Sequence, residues 1–418
     1  MKRIVLSAVT VLSLAAAAQA TEPVTLYTDP ATGEVFTKPG EGRIEMGDFM
    51  NAKDIYLENQ AQDSAIAKKE AKRKDVDVFA KASKLKFSGQ HYLGYRFRQA
   101  DADSSSQFEA RRNYLQVKAY LFDDPKSYMR ATLDTFEENA DPDGTNSNAA
   151  GSWIVRLKYA FLYLHDVLPA TSIEFGLAHR PWLDYEEHNA WFYRSISKTF
   201  VETKRAGDLT NSADFGINVK TKTEYFTSEI GIFNGEGYHT AEDGKSASLE
   251  WRLTAAILGK GKAHRKPRKM TYWDASFYGQ YNNRNAKNGD ETYAFYGFHT
   301  VYNTPSFLIA GHYIIADNDR DNTVSHNGSG WSVNAGYRFG EDKRFEVLGR
   351  YGIWSAKDST TDTTYDNIDA IAGVSWEQNK NVTWVLNANY YDPTDGKNYK
   401  GGNAEKYTDF MLTAEVNW

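Results

Sequence analysis

From Leu85 to Trp418 apolar and polar residues alternate with a period of two, again and again. That period confines the chain to strands with two unlike faces. In the first repeat Leu85, Phe87, Leu93, Tyr95 and Phe97 fall on one side and Lys86, Ser88, Gln90 and Arg96 on the other. In the second, Leu115, Val117, Ala119 and Leu121 oppose Arg112, Tyr114, Gln116 and Lys118. Further on, Val155, Leu157, Tyr159 and Phe161 alternate with Arg156, Lys158 and Ala160, and Trp331, Val333, Ala335, Tyr337 and Phe339 with Ser332, Asn334 and Arg338. The last repeat sets Phe410, Leu412, Ala414, Val416 and Trp418 against Asp409, Thr413, Glu415 and Asn417. One face suits hydrocarbon and the other suits water.

The connectors alternate as well. Asp123 to Lys126, His165 to Thr171, Gly340 to Lys343 and Gln378 to Asn381 are short, whereas Glu137 to Ser152, Leu183 to Asn211, Asp317 to Gly328, Lys357 to Asn367 and Asp392 to Glu405 are long and polar. Short turns at one rim and long loops at the other predict an all-β fold, a transmembrane antiparallel β-barrel of about sixteen strands at ~10 residues each. A soluble β-sandwich would also alternate, but its apolar faces would meet in a core. It would have no need of the 27 Tyr and 10 Trp seen here, residues that favour strands and membrane interfaces. The absence of Cys leaves a closed hydrogen-bonded barrel to do what disulfides do in small exported domains. Two stretches, Tyr293 to Tyr302 and Phe307 to Ala316, are apolar on both faces and have no orientation by this rule; contact with a neighbouring subunit is one reading of them.

Ahead of the barrel (81–418) stand two other regions. Residues 1–20 read as a signal peptide: Lys2 and Arg3, an apolar run from Ile4 to Ala18, and a small-x-small cleavage site at Ala18-Gln19-Ala20. Cleavage takes the formal charge from −6 to −8 by removing Lys2 and Arg3, which argues against a general binder of polyanions, nucleic acid included, and says nothing of the lining of a channel. Residues 21–80 are polar and mixed and form a periplasmic N-terminal segment. Within it 51–74 lacks Gly and Pro and supports either a helix with a thin apolar stripe (Ile55, Ala61, Ala65, Ile66) or a solvated extension.

Several motifs resemble the porin O and porin P family of phosphate-selective porins. Arg111-Arg112-Asn113-Tyr114-Leu115-Gln116-Val117-Lys118 is similar to an early family strand, and Phe175 to Trp182 to the strand leading into a pore-entering loop. Phe200-Val201-Glu202 is similar to the motif that closes that loop, Gly231 to Gly237 carries the family's Phe-Asn-Gly strand end, and Thr25 to Phe49 also looks like the family's precursors. The resemblance implies a homotrimeric sixteen-stranded porin in the lipid bilayer of a Gram-negative outer membrane. The sequence departs from the pattern at the pore loop. His179 stands at the usual lysine, Leu177 at the glutamine and Trp182 at the phenylalanine, and the fixed cation is one residue later at Arg180.

With the apolar face outward, parity assigns Lys86, Arg96, Arg112, Lys118, Arg130, Arg156, Lys158, Arg180, Lys220 and Arg252 to the lumen over the first half of the barrel. The acids assigned there are Asp134, Glu174, Asp214, Glu229 and Glu250; in the second half Arg338 and Arg350 face Asp274, Glu346, Asp369, Asp409 and Glu415. Fixed cations replace part of an anion's hydration, so this wall predicts passive diffusion of small polar solutes with a preference for anions. The candidate constriction is the Leu183–Asn211 loop, with Trp191, Phe192, Tyr193, Arg194, Lys198 and Arg205. His179 with Asp184, Glu186, Glu187 and His188 fits no metal-ligand spacing, and nine scattered His give no catalytic pairing, so neither metal, cofactor nor enzyme activity is expected. Gly259 to Lys269, with six cations around His264, falls at a short-turn rim and reads as a solvated charge run. The competing reading makes the barrel an anchor, with the N-terminal segment and this basic run tethering the envelope.

Overall fold

The computed structural model describes residues 24–49, 84–101, 103–120, 124–137, 153–238, 244, 247–283, 292–318, 327–358 and 361–418. The chain divides into two units, Met1–Val76 and Asp77–Trp418. In the first, β1 (Val24–Thr28), β2 (Val35–Phe36) and β3 (Ile44–Phe49) form an antiparallel sheet in the order β2-β1-β3, with Leu26 buried and Arg43 lying over the Phe36 ring. The expected helix over 51–74 and the signal peptide lie outside the described residues.

The second unit is a closed antiparallel barrel of sixteen strands. Its first half comprises β4 (Leu85–Ala100), β5 (Ser104–Ala119), β6 (Tyr128–Glu137), β7 (Trp153–Leu168), β8 (Thr171–His179), β9 (Ala213–Lys222), β10 (Phe226–Phe233) and β11 (Ser248–Ala256). Then follow β12 (Tyr272–Asn282), β13 (Tyr293–Asn303), β14 (Phe307–Asn318), β15 (Gly328–Phe339), β16 (Phe345–Asp358), β17 (Thr363–Asn379), β18 (Val382–Pro393) and β19 (Tyr407–Asn417). β19 pairs with β4 and removes the last open edge. At this seam the Trp418 indole lies over Gly89, where a β-carbon would come within 2.4 Å of the ring.

The barrel is inside-out relative to a soluble protein. Phe97, Val155, Phe175, Phe298, Tyr313, Val333 and Leu386 are exposed on its exterior, while Asp134, Asp214, Asn218, Asp274 and Asp369 are fully buried inside. A continuous apolar belt on the outside requires hydrocarbon rather than water as its solvent. These five can be buried because each has a polar partner inside the barrel.

Two bulges correct the parity assignment. Tyr92 pairs with Arg112 but Leu93 with Ala110, so Arg111 is an extra residue, and its guanidinium turns inward to Thr413 and Ser195 O. Thr132 pairs with Tyr159 but Leu133 with Leu157, so Lys158 is the extra residue of β7. Past that point the faces exchange. Tyr159 and Phe161, which strict alternation puts on the lipid side, are buried at 8% and 0% exposure, with Lys158 and Tyr159 both inside. An inserted residue shifts a period-two pattern by one, and this re-aims every side chain beyond it.

The long connector 180–212 does not leave the barrel. It begins as helix α1 (Pro181–Asn189), with Pro181 at its first turn, and its apolar residues Trp182, Leu183, Tyr185, Phe200, Val201 and Leu209 pack on Tyr278, Tyr293, Phe295, Ile314 and Trp354 of the wall. This explains the strands that are apolar on both faces. The inner residues of β13 and β14 are covered by this loop, so no neighbouring subunit is needed to bury that face.

Candidate functional site

The wall of β4 to β9 and the inward loop enclose the chemistry of the lumen. On the wall, Asp134 accepts from two arginines at once, Arg112 Nη1 at 2.9 Å and Arg156 Nη2 at 2.8 Å. Lys158 Nζ donates to Tyr114 Oη at 2.9 Å and stands 4.3 Å from that ring's centre. Arg130 lies 4.6 Å from the Tyr159 ring, donates to Thr132 Oγ1 at 3.0 Å and is 2.9 Å from His179 Nε2. Among the described residues no carboxylate pairs with Arg130 or Lys158. Lys118 stands 4.6 Å from the Tyr128 ring and Lys86 stands 5.4 Å from the Tyr120 ring. The cations of this wall are thus backed by tyrosine faces, which attract a cation without neutralising it.

The remaining basic residues of the first half are compensated. Arg180 bonds Asp214 at 2.8 Å, lies 3.5 Å from Glu250 and donates to Thr210 and Gln280. Lys220 bridges Glu174 at 3.0 Å and Glu229 at 3.3 Å, and Arg252 shares Glu229 at 3.1 Å. These three stitch β8, β9, β10 and β11 together. Parity places a charge inside but cannot show whether a carboxylate meets it there. In the second half Arg338 pairs with Glu346 and Arg350 with Asp369.

The loop divides its side chains between anchoring and lining. Trp191 is buried under the Arg350 guanidinium and donates to Ser197 O, and Tyr193 Oη meets Ser375 Oγ at 2.9 Å. Arg205 reaches Asp369 at 2.9 Å. These three hold the loop to the wall, as do Arg111 to Ser195 O, Asn334 to Ala190 O, Asn389 to Ile196 O and Tyr185 to Asp274. Arg194 pairs with Glu187 and with Glu202, and Lys198 with Glu202 at 3.0 Å. The charged side chains that keep solvent contact include Asp184, Glu187, His188, Arg194, Lys198 and Lys204, a mixed set. Asp184 lies 3.7 Å from His179 Nε2 and 4.0 Å from Lys220, and the charges of Arg194, Glu187 and Glu202 act on Lys158. The loop therefore meets the basic wall across the lumen. Arg111 was outside the lumen assignment made from the sequence; the doubled arginine that breaks the alternation was the signal available for it.

No family model matches the chain, and no curated protein matches it. Solved structures do. OmpT, an outer membrane protein of Vibrio cholerae in its trimer form, superposes with a TM-score of 0.54 at 12% identity over 80% of this chain and 99% of that one. An anion-selective porin from Comamonas acidovorans gives 0.54 at 13% over 80% and 99%, and Salmonella typhi OmpF gives 0.52 at 14% over 82% and 100%. The chain has the porin-type barrel fold. At these identities the likeness is one of architecture, a sixteen-stranded antiparallel barrel, and carries nothing about the charges described above.

Proposed function

We propose that this protein is a porin of the Gram-negative outer membrane, a passive channel for small hydrophilic solutes that prefers anions, phosphate-like oxyanions among them. The observation that carries the preference is the β5–β7 wall. Arg130 and Lys158 have no carboxylate partner among the described residues, and Arg112 and Arg156 both bond Asp134. A net positive wall beside a narrowed lumen lowers the cost of stripping water from an anion. A guanidinium also offers a fork that matches the oxygens of carboxylate or phosphate. The phosphate-like assignment rests on the resemblance to the phosphate-selective porins. In the same reading residues 1–20 are removed on export, 21–80 remain in the periplasm, and three copies assemble around the face not used by solute.

The reading is tested by reconstituting the purified protein in planar bilayers under a KCl gradient. Discrete conductance steps and a reversal potential on the chloride side are expected. Converting Arg112, Arg130, Arg156 and Lys158 together to Gln should move that potential toward the potassium side. A folded but silent protein would overturn the channel, and a potassium-side potential in the unaltered protein would overturn the anion preference.

A further inference from the structure

The bulge at Lys158 turns an aromatic stripe into the lumen. Beyond it Tyr159, Phe161 and Tyr163 lie on the inner face of β7, whereas strict alternation would give them to lipid. Bulges are over-represented next to active sites, where they re-aim side chains. The stripe has a packed part and an open part. Tyr159 and Phe161 are buried and fill the wall. Tyr163 and Tyr128 are partly exposed at the edge of the same cluster. They pair directly across β6 and β7, with ring centres 4.9 Å apart and planes 24° from parallel. The Tyr120 ring, also partly exposed, extends the patch at 5.4 Å from that of Tyr128. Packing accounts for the first two rings and leaves the others facing the lumen.

Fixed charge stands beside these open rings. Lys118 Nζ lies 4.6 Å from the centre of the Tyr128 ring, and Lys118 pairs in register with Arg130. Arg130 follows Tyr128 by two residues on β6, opposite Phe161, with its guanidinium 5.7 Å from that ring. Two residues along a strand span about 7 Å. A planar group lying on Tyr128 and Tyr163 therefore has a guanidinium one substituent's reach beyond its edge. Glu174, the acid that pairs in register with Tyr163, is answered within the wall by Lys220 at 3.0 Å and His179 at 3.3 Å.

The geometry points to a subsite for aromatic carboxylates: Tyr128 and Tyr163 take the ring, and Arg130 takes the carboxylate. The inference rests on the channel reading with its anion preference and names a class of anion within it. Chloride and acetate gain only from the charge. A benzoate-like anion also covers the tyrosine rings, and one aromatic contact favours the bound state by up to about tenfold. The guanidinium fork fits a carboxylate, so ring and charge are read together.

The probe is benzoate set against acetate, each added to the reconstituted full-length channel in KCl at a pH where both acids are ionised. The two carry the same carboxylate and the same charge, so the ring is the difference between them. Benzoate is expected to half-block the chloride current at about a tenfold lower concentration than acetate. In Y128L/Y163L, which keeps apolar bulk and removes the rings, that advantage should disappear. In Y128F/Y163F, which keeps the rings, it should persist. Equal half-blocking concentrations in the parent overturn the subsite without any variant, and so does an advantage unchanged in Y128L/Y163L. A chloride-side reversal potential with no benzoate advantage overturns the subsite and leaves the channel reading standing. A potassium-side potential with the benzoate advantage intact overturns only the anion preference.

Discussion

The two walls of this barrel follow the same alternation and serve opposite ends. Along β12 to β17 the inner face carries Tyr278, Phe295, Ile314, Trp354 and Ile371, and the loop lies on it like one layer on another. Along β5 to β8 the inner face carries Arg112, Arg130 and Arg156, each partly exposed, beside the buried Lys158 and Tyr159, and it is broken by bulges. Only a wall that remains in contact with water can act on a solute. The loop therefore creates the difference, since packing on one wall leaves the other as the surface of the lumen. The covered wall is governed by burial and the open wall by uncompensated charge.

The sharpest way to break that contrast is Trp182→Ala. The indole is stacked on Tyr278 at 3.6 Å and donates to Glu186, and its loss should cost the loop's docking about 3–5 kcal/mol. Larger, noisier conductance with little change of ion preference is expected in single-channel records. Tyr159→Ala, beneath Arg130 on the opposite wall, should do the reverse, shifting preference while conductance stays quiet. Identical phenotypes would erase the distinction.

A smaller effect is expected at Asp369, which receives both Arg205 of the loop and Arg350 of the wall. Asp369→Asn leaves two guanidiniums beside a neutral amide, a loss of about 3 kcal/mol. Thermal melting should show it, together with more frequent closures. Arg205→Gln, which removes only one cation, should cost less.

The smallest effect concerns pH. Burial pushes the Glu186 carboxyl, in α1, up to about 8. Its folded-state value is above the unfolded one, so its contribution is complete below pH ~4.3 and is lost as pH rises through about 8. Melting temperature should therefore fall between pH 5 and pH 9. Glu186→Gln, which keeps an acceptor for Trp182, should flatten that fall, and an unchanged slope would show that the carboxyl is not the group responsible.

Much of the barrel was legible because lipid outside and water inside impose a period of two on every strand. The outward Leu93, Tyr95, Phe97, Val333 and Phe410 and the inward Lys86, Arg96, Asp134 and Arg252 all obey it. The alternation fails where one residue is inserted. Arg111 and Lys158 are ordinary letters in the sequence, and they become bulges only because the partner strand has one residue fewer at that height. The apolar faces of β13 and β14 were visible but could not be explained without the loop that covers them.

By itself, then, the sequence determined the closed sheet, its inside-out polarity and which rim bears the long loops, since each follows from local periodicity and turn length. Only the tertiary structure decided which charges remain uncompensated. Arg180, Lys220 and Arg252 read the same as Arg130 and Lys158 in one dimension. The first three meet carboxylates from strands or connectors distant in sequence, and the last two meet tyrosines. A charge's effect on a passing ion depends on its neighbours in space, and the fold brings those neighbours together.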